Sequence, residues 1–152
     1  MFGGDSIAFE NDTWQFDGVA WTEQLPQSPP IARSGDVAAY DAARQQVILF
    51  GGSSSGRADA TWAWQAGGWA RLGGATPPSR RNHAMAYDAA RQEIVLFGGT
   101  SVGSGLALND TWVWNGLAWS EKVIALGDRP GTRRLHAMAY DSRRGKTVLF
   151  GG

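Results

Sequence analysis

The stretch Tyr87-Asp88-Ala89-Ala90-Arg91-Gln92-Glu93-Ile94-Val95-Leu96-Phe97-Gly98-Gly99 decides the fold of this chain, because it recurs. Residues 40–52 repeat it almost letter for letter, residues 140–152 repeat its pattern, and a truncated echo, Phe2-Gly3-Gly4, stands at the start. The Phe-Gly-Gly marks begin at positions 2, 50, 97 and 150, which gives periods of 48, 47 and 53 residues. Periods in this range are typical of an array of identical supersecondary units.

The composition limits the classes of protein to which this chain can belong. The 152 residues suit one domain, and fourteen basic residues balance fourteen acidic ones, so neither nucleic acid nor an anionic membrane is expected as a partner. The chain contains no Cys, no basic and apolar leader, and no apolar run near the roughly 20 residues that span a bilayer. We expect a soluble protein, cytoplasmic by default or secreted if it belongs to a longer parent protein; the sequence leaves the compartment open.

Each repeat predicts four short strands. The first is rich in Ala and Gly, and the second, such as Val47 to Phe50, is continuously apolar and is expected to end at the Gly-Gly pair. The third carries aromatic residues at alternate positions, as in Thr61-Trp62-Ala63-Trp64, and the fourth opens on a Trp. Asp41, Asp88 and Asp141 recur after the first strand, where we expect each carboxylate to cap the turn.

These repeats resemble the kelch repeat, in particular its bacterial variety. The resemblance rests on the Gly-Gly pair after an apolar strand, the Trp residues at fixed distances behind it, and an Arg-x-x-His motif opening the next strand. That motif is Arg80-Arg81-Asn82-His83 and Arg133-Arg134-Leu135-His136, while the first repeat departs from it with Arg33-Ser34-Gly35-Asp36. The resemblance covers essentially the whole chain and implies an all-β propeller of four-stranded antiparallel blades, with the first strand innermost.

The phase of the repeats predicts an incomplete ring. With repeats at about 5–52, 53–99 and 100–152 in one domain of residues 1–152, the chain holds three blade equivalents, or twelve strands. Those are the outer half of one blade, two whole blades and the inner half of another. Propellers close with about four to eight blades. The chain is therefore a fragment of a longer propeller, half of a six-bladed ring that two copies form as a homodimer, or part of a larger ring built from more chains. We favour the homodimer, because a two-fold dimer is the commonest assembly.

The expected function is binding. Length variation is confined to the connections between second and third strands and between fourth and first strands, and these connections share one rim. The candidate ligand-binding residues are Arg33, Arg80, Arg133, His83 and His136, which recur at the start of the first strands. For the three arginines, hydrogen bonds between blades and the binding of an anion are equally open alternatives. If they bind a ligand, an acidic peptide or an anionic small molecule is favoured. The repeated Trp residues and aspartates are better explained by packing and turn capping.

The alternative is a small-molecule enzyme, of a kind acting on sugars, that uses the Arg and His residues at the mouth of the channel. Only the fold analogy supports it. The Tyr–Cys cross-link of the galactose oxidase group is excluded because the chain has no Cys. No nucleophile elbow, phosphate-binding loop or paired metal motif is present in the sequence. We therefore expect no catalytic residues, no metal and no cofactor.

Overall fold

The computed structural model describes residues 1–5, 8–54 and 59–152, and for Asp5 only its backbone. The described residues form antiparallel β-sheets, and none of them forms a helix, so the all-β prediction is confirmed. Correspondingly, no helix among them is long and apolar enough to cross a membrane. The strands are β1 (Phe2–Asp5), β2 (Phe9–Phe16), β3 (Trp21–Gln24), β4 (Ser34–Asp41), β5 (Gln46–Ser53), β6 (Thr61–Gln65), β7 (Gly68–Leu72), β8 (Arg80–Arg81), β9 (Ala84–Asp88), β10 (Glu93–Ser101), β11 (Ala107–Trp114), β12 (Trp119–Lys122), β13 (Ala137–Asp141) and β14 (Lys146–Phe150).

The strands assemble into four successive sheets. The first sheet is β1-β2-β3, the second β4-β5-β6-β7, the fourth β13-β14, and the third runs β12-β11-β10 with both β8 and β9 paired to β10. The described residues hold fourteen strands rather than the expected twelve. Two additions account for the difference: Phe2–Asp5 pairs with β2 as the end of a second strand, and the first strand of the third sheet is divided.

A left-handed residue divides that strand. Asn82 lies at φ 56°, between β8 and β9, and Leu135 takes φ 59° just before β13. Gly35 occupies the same position in the unbroken β4, where φ is 70° and a glycine meets it without strain. These three residues also join the sheets, because Asn82 N donates to Gly35 O at 2.8 Å and Leu135 N donates to Asn82 O at 2.9 Å. The first strands therefore lie side by side.

The sequence predicted that each second strand ends at its Gly-Gly pair; β14 does end at Phe150, directly before residues 151–152, but the pairs at 51–52 and 98–99 do not end their strands. β5 and β10 continue through them to Ser53 and Ser101, and in β10 the register shifts between Phe97 and Gly99 as a bulge. Close backbone approach explains the glycines: a Cβ on Gly51 would lie 2.5 Å from Arg80 O and 2.7 Å from His83 Cε1. The pairs at 3–4, 51–52 and 98–99 thus leave room for the backbone that opens the first strand of the following sheet.

The core lies between the second and third sheets. Ile48 and Phe50 of β5 face Ile94, Leu96 and Met85 together with Trp114 and Trp119, and all of these side chains are buried. Phe50 and Trp119 have ring centroids 5.6 Å apart, and Trp119 Nε1 donates to Thr61 Oγ1 at 2.9 Å. This packing of sheet face on sheet face explains why the Trp residues recur with the repeat.

Turn capping by the repeated aspartates is confirmed. Asp88 Oδ1 accepts from the backbone N–H groups of Ala90 and Arg91 at 3.0 Å each, and Asp141 Oδ1 accepts from Arg143 and Arg144 in the same way. In the second sheet Asp41 accepts from Arg44, whose guanidinium also reaches the carbonyls of Gln92 and Asn115 in the third sheet. These turns form the rim opposite the variable connections.

Candidate ligand-binding site

The three candidate arginines brace the backbone where each first strand begins. Each donates from Nε to the carbonyl two residues earlier and from Nη1 to the second-strand glycine eighteen residues later. The acceptors are Ile31 and Gly51 for Arg33, Pro78 and Gly98 for Arg80, and Gly131 and Gly151 for Arg133, at 3.0–3.2 Å. Arg33 and Arg80 are buried, at 1% and 0% exposure. The structure thus does not bring the arginines together; each serves its own sheet.

Arg80 is fully engaged by a carboxylate. Its Nη1 and Nη2 donate to Asp110 Oδ1 and Oδ2 at 2.6 and 2.7 Å, and Trp112 Nε1 donates to Asp110 Oδ2 at 2.7 Å. Burial alone would raise the pKa of Asp110, but the hydrogen bonds from Arg80 and Trp112 outweigh it and hold the pKa below its ordinary value. This pairing leaves Arg80 no exposed donor for a ligand.

The second sheet departs from this arrangement. In the first sheet Asp12 accepts from Trp14 Nε1 just as Asp110 accepts from Trp112, but the second sheet has Ala60 at this position. Trp62 Nε1 is buried, and no described residue accepts its hydrogen. Arg33 keeps its two carbonyl bonds next to an alanine methyl group. The buried Arg33 cation and the buried Trp62 N–H therefore face Ala60, at a position where the first and third sheets have a carboxylate.

A cleft of about 760 Å³ opens at this position. It lies on the rim that carries the variable connections, since Gly73, Gly74 and Thr76 of the connection from β7 to β8 form one wall. Burial lowers the pKa of Arg33, although the charges of Asp36 and Asp59 oppose that shift, and the side chain stays cationic. The residues that line the cleft are Ile31, Arg33, Asp59, Ala60, Trp62, Arg71, Leu72, Gly73, Gly74 and Thr76.

The two histidines lie away from the cleft, in packed positions. His83 and His136 are 3% and 7% exposed, and each meets a second-strand Phe edge-on, with ring centroids 5.8 Å from Phe50 and 5.7 Å from Phe97 respectively. Burial, with smaller contributions from Arg80 and His136, lowers the pKa of His83 to about 3. Burial and then Arg133 lower the pKa of His136. Both rings are neutral at pH 7.

Asp36 replaces histidine at the same position of the second sheet. It is partly buried, and burial raises the pKa of its carboxyl to about 6. Among residues 1–5, 8–54 and 59–152, no group of three or more His, Asp or Glu side chains could hold a metal ion. Nothing in these positions supports the enzyme alternative, because the histidines and Arg80 face the packed interior of the sheets.

The family comparison agrees with this geometry. The model of the KLHDC2/KLHL20/DRC7 Kelch-repeats domain matches residues 1–152. The chain belongs to this kelch-repeat family. With its antiparallel sheets and absence of helix in the described residues, membership establishes a β-propeller type of fold. A comparison with curated proteins found no match.

Sequence reasoning identified Arg33 as a binding residue but missed Ala60, Trp62 and Arg71, which line the same cleft. The signal was available as a difference between repeats: Asp-Thr-Trp at 12–14 and 110–112 becomes Ala-Thr-Trp at 60–62. Alanine has no functional group, so a sequence search for binding residues does not select it. Only the role of Asp110 in the third sheet shows what its absence does to Arg33 and Trp62.

Proposed function

We propose that this kelch-repeat chain is a non-catalytic binding module whose partner places a carboxylate in the cleft beside Arg33. One observation carries the proposal: Ala60 stands where Asp12 and Asp110 stand in the other sheets, so Arg33 and Trp62 lack the acceptor that their counterparts have. Buried donors without an acceptor are costly in a folded protein. A ligand that supplies the acceptor removes that cost on binding.

The contact of Arg80 with Asp110 serves as the template for the bound state. A ligand carboxylate at the corresponding position would accept two parallel hydrogen bonds from the Arg33 guanidinium and one from Trp62 Nε1. Charge-assisted bidentate pairs of this kind are stronger than neutral hydrogen bonds and impose orientation. We expect a ligand carboxylate to be preferred over the matching amide by roughly 10- to 100-fold, as a contribution of ~1.5–3 kcal/mol implies.

The form of the cleft favours an acidic peptide over a free small anion. The cleft is open and combines apolar Ile31 and Leu72 with the exposed cation of Arg71. An extended segment can lay an apolar side chain beside the carboxylate and direct a second acidic group toward Arg71. Asp59 also lines the cleft and disfavours a carboxylate placed close to it.

The third repeat adds a wall on the same rim. Its long connection is a hairpin that extends the third sheet, with Ser101 N donating to Leu106 O at 2.9 Å. Val102 N donates to Ser79 O at 3.0 Å, which ties the hairpin to the connection that bounds the cleft. Val102 and Leu106 are 47% and 68% exposed. A partner bound at the cleft would have these apolar side chains within reach on the rim.

The variant Ala60→Asp tests the proposal without weakening the fold. An aspartate there restores the arrangement of the third sheet, so we expect a higher unfolding midpoint together with loss of binding. The probe is a fluorescein-labelled peptide of alternating Glu and Leu, with the matching Gln peptide as ligand control, measured by fluorescence anisotropy. Thr76→Asp, which adds the same charge elsewhere on the cleft, is the protein control and should weaken binding less.

Two outcomes would overturn the proposal. If Ala60→Asp stabilises the chain and binds the Glu peptide as the unchanged chain does, the carboxylate is not recognised by Arg33 and Trp62. If the Ala60→Asp variant still binds the Glu peptide, but a variant with Arg44, Arg91 and Arg144 replaced by alanine does not, the partner docks on the opposite rim.

A further inference from the structure

The tight turn between β11 and β12 holds donors on both oxygens of its asparagine. Asn115 is exposed and is followed by Gly116. Its side-chain Oδ1 accepts from the backbone N–H groups of Leu117 and Ala118 at 2.9 and 3.0 Å. Its backbone carbonyl accepts from Nη2 of Arg44, which reaches over from the second sheet. The side-chain amide and the following peptide bond are therefore both polarised by fixed hydrogen bonds.

These donors are held in place by the surrounding sheets. Arg44 also donates to the Asp41 carboxylate at 2.9 Å, which keeps its guanidinium over the turn. Gly116 admits this cation, because a Cβ on Gly116 would collide with the guanidinium. The base of the turn is the register pair of Trp114 and Trp119, whose side chains are 1% and 3% exposed. The turn is thus anchored at its base and covered by a positioned cation.

We propose that Asn115 is a self-modification site, at which the contacts of this turn promote the deamidation of its asparagine. The Gly116 nitrogen forms a bond to Asn115 Cγ, the bond from Cγ to Nδ2 breaks, and Nδ2 leaves as ammonia with the proton that the Gly116 N–H gives up. Water then adds to one of the two carbonyl groups of the resulting imide and opens the ring. The product at position 115 is aspartate or isoaspartate.

Each contact stabilises a charge that develops during this reaction. When the Gly116 N–H loses its proton, negative charge moves onto the carbonyl oxygen of Asn115, where Arg44 donates. When Cγ becomes tetrahedral, negative charge collects on Oδ1, where Leu117 and Ala118 donate. Donors already aimed at developing charge accelerate acyl chemistry. No described residue accepts the Gly116 N–H, so its proton is available to a base in solution.

The first sheet shows that the turn accepts an aspartate at this position. Asp17 Oδ1 accepts from the N–H groups of Val19 and Ala20 at 2.8 and 2.9 Å, just as Asn115 Oδ1 accepts from its own turn. The backbone bond that closes each turn is also the same, at 3.3 Å. Conversion to aspartate therefore adds a negative charge to the tight-turn rim and keeps the turn. Isoaspartate lengthens the backbone by one atom and does not fit it.

The other asparagines provide controls within the same chain. Each of the three is followed by a residue that has a side chain: Asn11 by Asp12, Asn82 by His83 and Asn109 by Asp110. A side chain on the following residue hinders approach of its nitrogen to the amide carbon, whereas glycine leaves that approach open. We therefore expect deamidation at position 115 alone.

Peptide mapping by mass spectrometry measures the reaction as the mass change from NH2 to OH, together with released ammonia. The chain is incubated folded and, in parallel, unfolded in urea at the same pH and temperature. The folded chain should lose the amide of Asn115 at least ~10-fold faster than the unfolded chain, since only the folded chain positions the donors. The rate should rise from neutral to alkaline pH, because the Gly116 N–H must lose its proton. A folded rate that is equal to or below the rate in urea would overturn the proposal.

Variants identify the groups responsible. Arg44→Gln should slow the reaction of the folded chain at least ~10-fold and leave the rate in urea unchanged. Arg91→Gln is the matched control, because Arg91 makes the same contact with its own turn aspartate, Asp88, and should leave both rates unchanged. Circular dichroism establishes that each variant is folded. Asn115→Asp should keep the unfolding midpoint of the unchanged chain. An unchanged folded rate in Arg44→Gln, or a lower midpoint in Asn115→Asp, would contradict the roles assigned to Arg44 and to the turn.

Discussion

Asp110→Asn should destabilise the chain far more than its position near the surface suggests. The substitution leaves the Arg80 guanidinium, which is 0% exposed, without its anionic partner, whereas Trp112 Nε1 keeps an amide oxygen as acceptor. Breaking a fully buried ion pair from one side costs ~3–5 kcal/mol, and the 20% exposure of the Asp110 side chain lets water replace part of the loss. We therefore expect a loss of ~2–3 kcal/mol in the free energy of unfolding, or roughly 4–12 °C in Tm.

Urea denaturation followed by Trp fluorescence measures the loss, and Asp12→Asn is the matched control. Asp12 binds the same indole in its own sheet but pairs with no arginine among the described residues, so Asp12→Asn should cost less than ~0.5 kcal/mol. The pKa of Asp110 is lowered from 3.8, so its stabilisation is present above pH 4 and is lost as the pH falls below that value. Equal costs for the two variants, or a difference that does not shrink as the pH falls below 4, would refute the assignment.

Three more predictions follow from single contacts. Asp36→Asn should stabilise the chain by about 1–2 kcal/mol at pH 7 but not at pH 3.5, because the raised pKa, about 6, makes stability fall as the pH rises from 4 to 6; urea titrations at both pH values check this. Gly116→Ala should cost ~1–2 kcal/mol more than Gly18→Ala, since both residues have positive φ but only Gly116 contacts Arg44; equal thermal shifts would contradict it. Thr61→Val should cost ~1–2 kcal/mol by leaving Trp119 Nε1 buried without an acceptor, and an unchanged denaturation midpoint would show that this hydrogen bond adds nothing.

The sequence predicts the strands and turns of this chain well because each residue that recurs in the repeats makes a contact that also recurs. Asp41, Asp88 and Asp141 cap three equivalent turns, and Thr13 and Thr61 accept from equivalent indoles. Such contacts recur once per period, so comparing the repeats detects them without any coordinates. The sequence locates the Gly-Gly pairs correctly, but it predicts strand ends at 51–52 and 98–99, where β5 and β10 continue. Their positive φ values are compatible with either a turn or a bulge, and the choice depends on how closely Arg80 approaches Gly51.

The cleft that we propose as a binding site could be predicted only in part, because a charged residue in the sequence is normally expected to be exposed and here it is buried. An arginine opening a strand suggests an exposed cation at a rim, yet Arg80 is enclosed by two carbonyls and Asp110. Its carbonyl acceptor in the second strand lies eighteen residues away, and its carboxylate lies thirty residues away. Neither distance follows from local periodicity. The cleft itself arises from a missing side chain, at Ala60, which composition and motif searches do not register.

A repeated residue of this chain can bind a ligand only where one of its neighbours departs from the repeat. A side chain whose neighbours recur with it, as Asp110 does beside Arg80, has no donor left for a partner. A ligand can use only the positions where one repeat departs from the others and leaves its neighbours incomplete. Ala60 is such a departure: it frees Arg33 and Trp62 on one rim while the remaining contacts keep them rigid. Restoring the repeat at this single position should therefore stabilise the fold and abolish the proposed carboxylate binding. For this reason Ala60→Asp is the most informative substitution in the chain.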